Sequence, residues 1–333
     1  MTEPLKQFAN VDDHLKILSE RGMNIEDHDK AKRYLENVGY FRLSAYWHNE
    51  RTITLDNKGN PLLGDSGVVR EDSFIDNTSF ESVLSLYIFD RQLRIIILDA
   101  IQRVEISVRS QLVKTLGSID RQAHKKLILG CYRSNFLKED KYGNVGWDIW
   151  QSKHEALLSA SAKERFIKHQ VDKFGTLEQI PVWVAAEVWD FGCTSHLLAG
   201  LAPRHAQDVA TYFGVNDGDV LISWMKTFNF VRNICAHHRR LWNRRVTKQP
   251  KLIKPEENDL LAHLWDTSVL VPQPLNNKVY SVMCLLQYLM KTISPRSKWF
   301  LKVHNLTANF NNFQEHAESM GFPKDWEKLE LWS

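Results

Sequence analysis

The sequence predicts an all-α fold for a chain of 333 residues. Apolar residues recur at helical spacing over most of the chain, most clearly between Ser79 and Leu116. Alternating apolar and polar runs, which are typical of strands, are sparse. Because 43% of the residues are hydrophobic, the chain can bury a large core, either as one big domain or as two to three smaller ones.

The N-terminal region is predicted to contain two short helices, over Val11–Arg21 and Asp27–Asn37. Gly39 suits the position after the second helix, because glycine accepts a positive φ without strain. A turn is then expected to carry the aromatic segment Tyr40–Trp47, whose rings we expect in the core or at a domain contact. Residues 49–77 contain turn-forming sequences with little helical period, which predict a loop or a small hairpin and the first domain boundary.

The strongest helical pattern runs from Ser79 to Leu116, with Thr78 or Ser79 as its cap and Gly117 as its end. At about 1.5 Å per residue this helix exceeds 50 Å unless it bends. Opposite charges recur four residues apart along it, which predicts either ion pairs on its surface or pairs that orient catalytic groups. These pairs are Asp90–Arg94, Asp99–Arg103 and Glu105–Arg109.

Further helices are predicted over residues 147–171, 182–201, 203–213, 277–293 and 297–311. The segment Val220–Arg245 lies among them and carries a basic motif. We therefore divide the chain into an N-terminal helical region (1–77), a central helical core (78–250) and a C-terminal helical extension (251–333).

The composition also excludes several classes of protein. The four cysteines lie far apart and form no CxxC pair, so neither a disulfide framework nor a zinc ribbon is indicated. No apolar run is long enough for a signal peptide or a membrane span. We expect a cytoplasmic protein with no membrane segment, no metal site and no cofactor.

Positive charge is concentrated in one stretch, although the net charge is only +3. Residues 226–254 contain nine Lys or Arg and no Asp or Glu. Such a patch attracts phosphate backbones, and Phe228, Phe230 and Trp242 add aromatic surface on which bases could stack. The alternative is a solvated helix face with buried aromatic rings. The predicted RNA-binding residues are Arg239, Arg240, Arg244, Arg245 and Lys248.

Within this stretch, Arg232, Asn233 and His237 place a guanidinium, a carboxamide and an imidazole close together. Cleavage of RNA without a metal needs groups that move protons and a fixed cation that binds phosphate, and imidazole and guanidinium supply them. On one ideal helix, however, His237 lies about 140° around from Arg232 and about 7.5 Å along the axis. Either the helix begins or bends here, or two copies of the motif meet across a dimer. His238 is the second candidate for the catalytic imidazole.

Several segments between residues 39 and 243 resemble, in the expected order along the chain, those of the AbiD/AbiF family of abortive-infection proteins. The run Arg232–His238 followed by Arg240–Asn243 is similar to the C-terminal signature of that family. The other matching segments are Gly39–Trp47, Phe89–Arg94, Asp99–Glu105, Pro181–Trp183 with Glu187, and Phe191–Gly192.

The resemblance implies a HEPN-type helical bundle, whose Arg-x4–6-His motif cleaves RNA, and a role in phage defence. Arg232 and His237 match the motif pair, and Asn233 matches the polar residue after the arginine. Arg103 and Glu105 match family positions with a supporting role. The doubled histidine leaves the registers of His237 and His238 both open.

Our hypothesis is therefore a metal-independent endoribonuclease toxin that cleaves single-stranded RNA as a homodimer. Some relatives are encoded beside a small structured RNA, so a non-coding RNA antitoxin is an expected partner. The rival is a non-catalytic adaptor that uses the same basic residues to hold a small RNA or a phage component. A helix-turn-helix regulator of DNA is disfavoured, because Arg232–Trp242 lacks the preceding scaffold helix and short glycine turn of that motif.

Overall fold

The computed structural model describes residues 7–64 and 67–333. Its helices are α1 (Val11–Glu20), α2 (His28–Val38), α3 (Tyr40–Trp47), α4 (Phe80–Ile119), α5 (Gly146–Ala160), α6 (Arg165–Phe174), α7 (Val182–Ala185), α8 (Phe191–Gly200), α9 (Pro203–Tyr212), α10 (Gly218–Ala236), α11 (Val279–Ile293), α12 (Trp299–Ala308) and α13 (Phe313–Met320). The strands are β1 (Arg51–Ile53), β2 (Leu63–Gly64), β3 (Gly67–Val68), β4 (Arg70–Phe74), β5 (Trp265–Asp266) and β6 (Gln273–Pro274). The predicted all-α class is confirmed, and among the described residues no helix is long and apolar enough to cross a membrane.

The prediction of a turn over Tyr40–Trp47 is wrong, because this segment forms α3. Gly39 has a φ of 91°, as predicted, and it ends α2 and begins α3 at the same residue. Tyr46 and Trp47 are buried, as expected of core aromatics, whereas Phe41 is 88% exposed. A single glycine thus joins the two helices without any intervening loop.

The long helix α4 begins as predicted, with the Ser79 hydroxyl accepting the Ser82 N–H at 3.1 Å. It does not end at Gly117 but continues to Ile119. A Cβ at Gly117 would lie 3.6 Å from the Val182 side chain, an ordinary contact distance, so this glycine is an interior residue of the helix. The predicted pairs are confirmed for Asp99–Arg103, at 3.1 Å, and for Glu105–Arg109, at 2.7 Å.

Two predicted helices are each divided in the structure. Residues 147–171 form α5 and α6, separated by a turn at 161–164. Residues 182–201 form α7 and α8, because Asp190 starts a new helix by accepting the Cys193 N–H at 2.7 Å. A local cap therefore overrides a hydrophobic pattern that is continuous in sequence.

The chain folds into two compact units. The first comprises the described residues up to Gln92 together with Leu306–Gln314. It contains α1 to α3 and the antiparallel pairs β1–β4 and β2–β3, which confirms the predicted hairpin; Asp65 and Ser66 of the predicted turn lie outside the described residues. Its core includes Phe89 stacked on Phe310 at 4.6 Å.

The second unit comprises Leu93–Asn305 and Glu315–Ser333, and α10 packs there against α8, α9 and α11. The ring of Phe136 lies between two glycines in this unit. A Cβ at Gly146 would lie 2.6 Å from the ring, and one at Gly200 would also collide with it. The division into regions 1–77, 78–250 and 251–333 stays a prediction.

Candidate functional site

Helix α10 positions the basic motif. Asp217 caps its start by accepting the Asp219 N–H at 2.7 Å, and Val231, Ile234 and Cys235 bury its apolar face in the second unit. That burial fixes the rotation of the helix and leaves Arg232 half-buried and Asn233 exposed. The motif therefore lies at the C-terminal end of a well-packed helix.

The helix ends within the motif itself. His237 is its C-cap, and His238 has a φ of 55°, in the left-handed region. The Arg239 N–H donates to the Ile234 carbonyl at 2.9 Å and the His238 N–H to the Cys235 carbonyl at 3.0 Å, which together form a Schellman motif. The sequence analysis predicted that the helix begins or bends at the motif, or that two motifs meet across a dimer. In the structure the helix ends at the motif.

This ending does not bring the guanidinium and the imidazole together. The His237 N–H still donates to the Asn233 carbonyl at 3.0 Å, so the backbone is helical up to this residue and the rotation of about 140° persists. Arg232 donates to the side-chain oxygen of Asn233 at 3.2 Å, whereas within the described residues no hydrogen bond joins Arg232 to His237. Both His237 and His238 are exposed.

Arg232 lies beside a cluster of charged side chains from three other elements. Glu105 of α4 binds Arg109 at 2.7 Å, and Arg109 also donates to the Trp189 carbonyl at 2.6 Å. Burial raises the pKa of Glu105, while the positive charges of Arg109 and Arg232 oppose the rise. The carboxylate therefore sits close enough to the motif arginine to feel its charge.

Asp190 and Lys153 form the other half of this cluster, with Lys153 Nζ 2.7 Å from Asp190 Oδ1. Burial raises the pKa of Asp190, but the Lys153 hydrogen bond, the Cys193 N–H and the charges of Lys153 and Arg232 outweigh it. The resulting pKa lies below the usual value. A Cβ at Gly192 would lie 2.8 Å from Lys153 Nζ. The charged cluster, which we define as Glu105, Arg109, Lys153, Asp190 and Arg232, holds three cations and two carboxylates and is suited to an anion.

Sequence reasoning missed Lys153 and Asp190 as members of this site. Glu187, which lies in one of the segments that resemble the family, is exposed, and the charge of Arg232 acts on the carboxylate of Asp190. The position of Asp190 before Phe191–Gly192 is typical of a helix cap and could have drawn attention to it. Lys153 carries no such local pattern.

Arg103 lies apart from the other predicted residues. It donates to the Ser297 hydroxyl at 2.8 Å and pairs with Asp99, whereas Glu105 is engaged with Arg109. Residues two positions apart on a helix point about 200° away from each other, so Arg103 and Glu105 cannot face one ligand.

After the Schellman motif the chain turns back along α10. The Thr227 hydroxyl lies 2.7 Å from the Lys248 carbonyl, the Ser223 hydroxyl accepts the Lys251 N–H at 2.9 Å, and Trp224 donates to the Lys251 carbonyl at 2.7 Å. Residues 239–254, which we call the return segment, therefore run antiparallel to the helix. Of the predicted RNA-binding residues, Arg239, Arg245 and Lys248 are exposed there, and Arg240 and Arg244 are half-buried.

The prediction that Phe228 and Trp242 offer stacking surface to bases is wrong. Phe228 is 0% exposed and Trp242 is 3% exposed. Both rings fill the core beneath the return segment, Trp242 in an edge contact with His316 at 5.0 Å. Phe230 is half-buried. The aromatic residues interleaved with the charges thus anchor the basic segment from below.

Comparison with known proteins places this geometry in a family. The family model described as Abi-like protein matches residues 33–243, which is most of the chain and includes α4, α8 and the whole motif. The chain belongs to the Abi-like protein family. Membership confirms the resemblance seen in the sequence and assigns the chain to abortive infection, a form of phage defence. No curated protein and no solved structure matches this Abi-like chain.

Proposed function

We propose that this Abi-like protein is a HEPN-type endoribonuclease that cleaves single-stranded RNA without a metal. The observation that carries the proposal is the placement of Arg232, half-buried in the charged cluster at the end of α10, where the exposed imidazole of His237 and a strip of exposed cations also lie. The charges of Glu105 and Asp190 act on this guanidinium, and the side-chain oxygen of Asn233, 3.2 Å away, orients it. Such a group can bind a phosphate with little loss of side-chain entropy.

The proposed chemistry is a transesterification. The 2′-oxygen attacks phosphorus, the bond from phosphorus to the 5′-oxygen breaks, and the products are a 2′,3′-cyclic phosphate and a 5′-hydroxyl. An imidazole accepts the 2′-hydroxyl proton, a second donor protonates the 5′-oxygen, and Arg232 stabilises the charge on the phosphorane. Asn233 keeps the guanidinium in place through its side-chain oxygen, 3.2 Å away.

A homodimer would supply the groups that one motif lacks. Because Arg232 and His237 lie on different faces of one helix, a single chain does not present both to one phosphate. A two-fold axis next to the end of α10 would bring two imidazoles and two guanidinium groups into one cleft. Within this proposal Glu105 supports Arg232 through its charge, and Arg103 supports the scaffold through Ser297.

Cleavage of single-stranded RNA in EDTA tests the proposal. We expect the intact chain to cut, and Arg232→Ala and His237→Ala to lose activity by about 100-fold or more, the usual scale for an acid–base group. Arg165→Ala and His169→Ala are matched controls, since both residues are exposed on α6, and they should cut normally. Equal cleavage by all four variants would rule out the motif.

A second candidate function is supported by the exposed cations of the return segment, which could hold RNA without cutting it. A non-catalytic adaptor would shift a small structured RNA in a gel and leave it intact in the same experiment. Expression in bacteria separates the two functions further. The nuclease should arrest growth in a manner that depends on Arg232 and His237, and a non-coding RNA antitoxin, if it is the partner, should relieve the arrest.

A further inference from the structure

The second unit contains a cavity of about 470 Å³ at the N-terminal end of α10. Its walls come from the α9–α10 loop, from the return segment, and from residues between Glu257 and Asn276, which include the β5–β6 hairpin. The side chains that matter for the argument are Asn216, Lys251, Lys254, Glu257 and Trp265. Its size lies in the usual range for pockets that bind small molecules, about 300–1,000 Å³.

We propose that this cavity binds one nucleotide of the single-stranded RNA whose backbone is cut at the other end of α10. The inference rests on the proposed function for the identity of the strand. It assigns a ligand class, a nucleoside monophosphate unit, to a pocket whose wall lies largely beyond the matched family span of residues 33–243.

The chemistry of the lining fits the three parts of a nucleotide. Lys251 and Lys254 are exposed cations that can neutralise a phosphate. The indole N–H of Trp265 is already bonded to the Ile253 carbonyl at 2.8 Å, so its ring is fixed and offers only a face for stacking. Glu257 is an exposed carboxylate that can accept hydrogen bonds from the amino edge of a base.

The pocket is built rigidly onto α10. Lys251 is held through both of its backbone groups, by Ser223 at 2.9 Å and by Trp224 at 2.7 Å. Nearby, the buried Asn276 donates to the Pro250 carbonyl at 2.8 Å. A wall fixed in this way does not have to be ordered when a ligand enters, which favours binding.

The position of the pocket also connects it to the motif. Val220, which lines the cavity, and Arg232 are twelve residues apart on one helix, so they are about 18 Å apart along its axis. The exposed cations Arg245 and Lys248 lie on the return segment between the two ends. A strand that follows these cations would have one nucleotide in the pocket and a phosphate at Arg232.

The test measures binding of a single-stranded RNA by calorimetry, with Arg232→Ala present in every chain to prevent cleavage. Removing a stacked aromatic weakens binding by about 1–3 kcal/mol, so Trp265→Ala should lower affinity roughly 5- to 150-fold, and Trp265→Phe should restore most of it. Lys254→Gln and Glu257→Gln should also bind more weakly. Adenosine, guanosine and cytidine monophosphates should compete better than uridine monophosphate, which has no amino group.

Glu256→Gln and Lys298→Gln are the matched controls, because both side chains are exposed and neither lines the pocket. The inference fails if Lys254→Gln and Glu257→Gln bind RNA as tightly as these controls. Both substitutions are at exposed positions, so this result does not depend on whether Trp265→Ala folds. If the chain with intact Arg232 cuts RNA but the pocket variants bind RNA as tightly as the controls, only the inference is overturned. If the pocket variants bind RNA more weakly but the chain with intact Arg232 does not cut RNA, only the proposed function is overturned.

Discussion

The left-handed backbone of His238 determines how the chain leaves α10 after the basic motif. A residue with a Cβ pays about 1–2 kcal/mol in this region, although histidine tolerates it better than most. Here the conformation is needed for the two hydrogen bonds that close the end of α10. His238 therefore has a backbone role whether or not its imidazole moves a proton.

Substitution of His238 separates these two roles. We expect His238→Gly to be more stable than His238→Ala by about 1 kcal/mol, because both lose the imidazole and only glycine adopts a φ of 55° freely. Unfolding in urea measures the difference. If His237 is the catalytic imidazole, His238→Gly should still cut RNA, and loss of cleavage by this folded variant would move the assignment to position 238.

The chemical groups of the site could be predicted at the level of single residues, but their partners could not. Arg232, Asn233 and His237 are near neighbours in sequence, so their proximity is visible there. Lys153 and Asp190 approach Arg232 only because α8 packs against both α5 and α10, and residues 40 to 80 positions away leave no local pattern. Phe228 and Trp242 were wrongly assigned to the surface, since the sequence could not distinguish an aromatic ring that faces solvent from one that fills the core.

At the scale of secondary structure, the return segment converts scattered charges into a strip along α10. We predict that RNA binding weakens steeply with salt, and that Arg245→Ala and Lys248→Ala each reduce the slope of log affinity against log salt by slightly less than one unit. Lys298→Ala, an exposed control, should leave the slope unchanged. An affinity independent of salt would exclude the strip as the RNA-binding surface.

Most helices were predictable, because their apolar faces repeat at helical spacing over ten or more residues. Their ends were less predictable, since they depend on one residue in a particular conformation or contact. Asp190 interrupts a continuous pattern by capping, whereas α4 continues past Gly117 to Ile119. The positive φ of His238 was not predictable either, because residues other than glycine adopt that conformation only occasionally.

At the scale of the whole molecule, two buried histidines make stability depend on pH. His124 and His154 are both 0% exposed, and their rings meet edge to face at 5.2 Å. Burial, together with the charge of Lys125, lowers the pKa of His154 to about 4. Burial, together with the charges of His154 and Lys125, lowers the pKa of His124 to about 3. Trp189 donates to His154 Nδ1 at 3.0 Å, which fixes that ring in its neutral form.

Acid should therefore destabilise the fold in a defined window. Below about pH 6.5 the imidazoles bind protons in the unfolded chain but not in the folded one. The free energy of unfolding therefore falls as the pH is lowered from about 6.5 towards 4. The loss is up to about 1.4 kcal/mol per pH unit for each histidine. Urea unfolding between pH 7 and pH 5 measures this slope, above the range where Asp190 titrates. His124→Phe should reduce the slope and the exposed control His169→Ala should not; a flat profile in the wild type would contradict the prediction.

The proposed shared site predicts recovery of activity from two inactive chains. Arg232→Ala and His237→Ala proteins, mixed under conditions that exchange subunits, should form heterodimers with one arginine and one histidine in a common cleft. Because an acid–base group contributes about 10²- to 10⁴-fold, partial recovery should stand above both parents. If mass measurements detect heterodimers and the mixture remains inactive, or if a dilute monomer cuts fully, the site must be completed within one chain.

The position of Phe136 between Gly146 and Gly200 bears on how cells would escape the growth arrest that the proposed function predicts. Any side chain at either glycine would collide with the ring, at 2.6 Å or less, and should unfold the second unit instead of altering its chemistry. Survivors of forced expression should then divide into two groups, those with changes at Arg232 or His237 that still accumulate full-length protein, and those with changes at these glycines that do not. The set of spontaneous escape mutations would thus distinguish residues that are needed for growth arrest itself from residues that are needed only for folding.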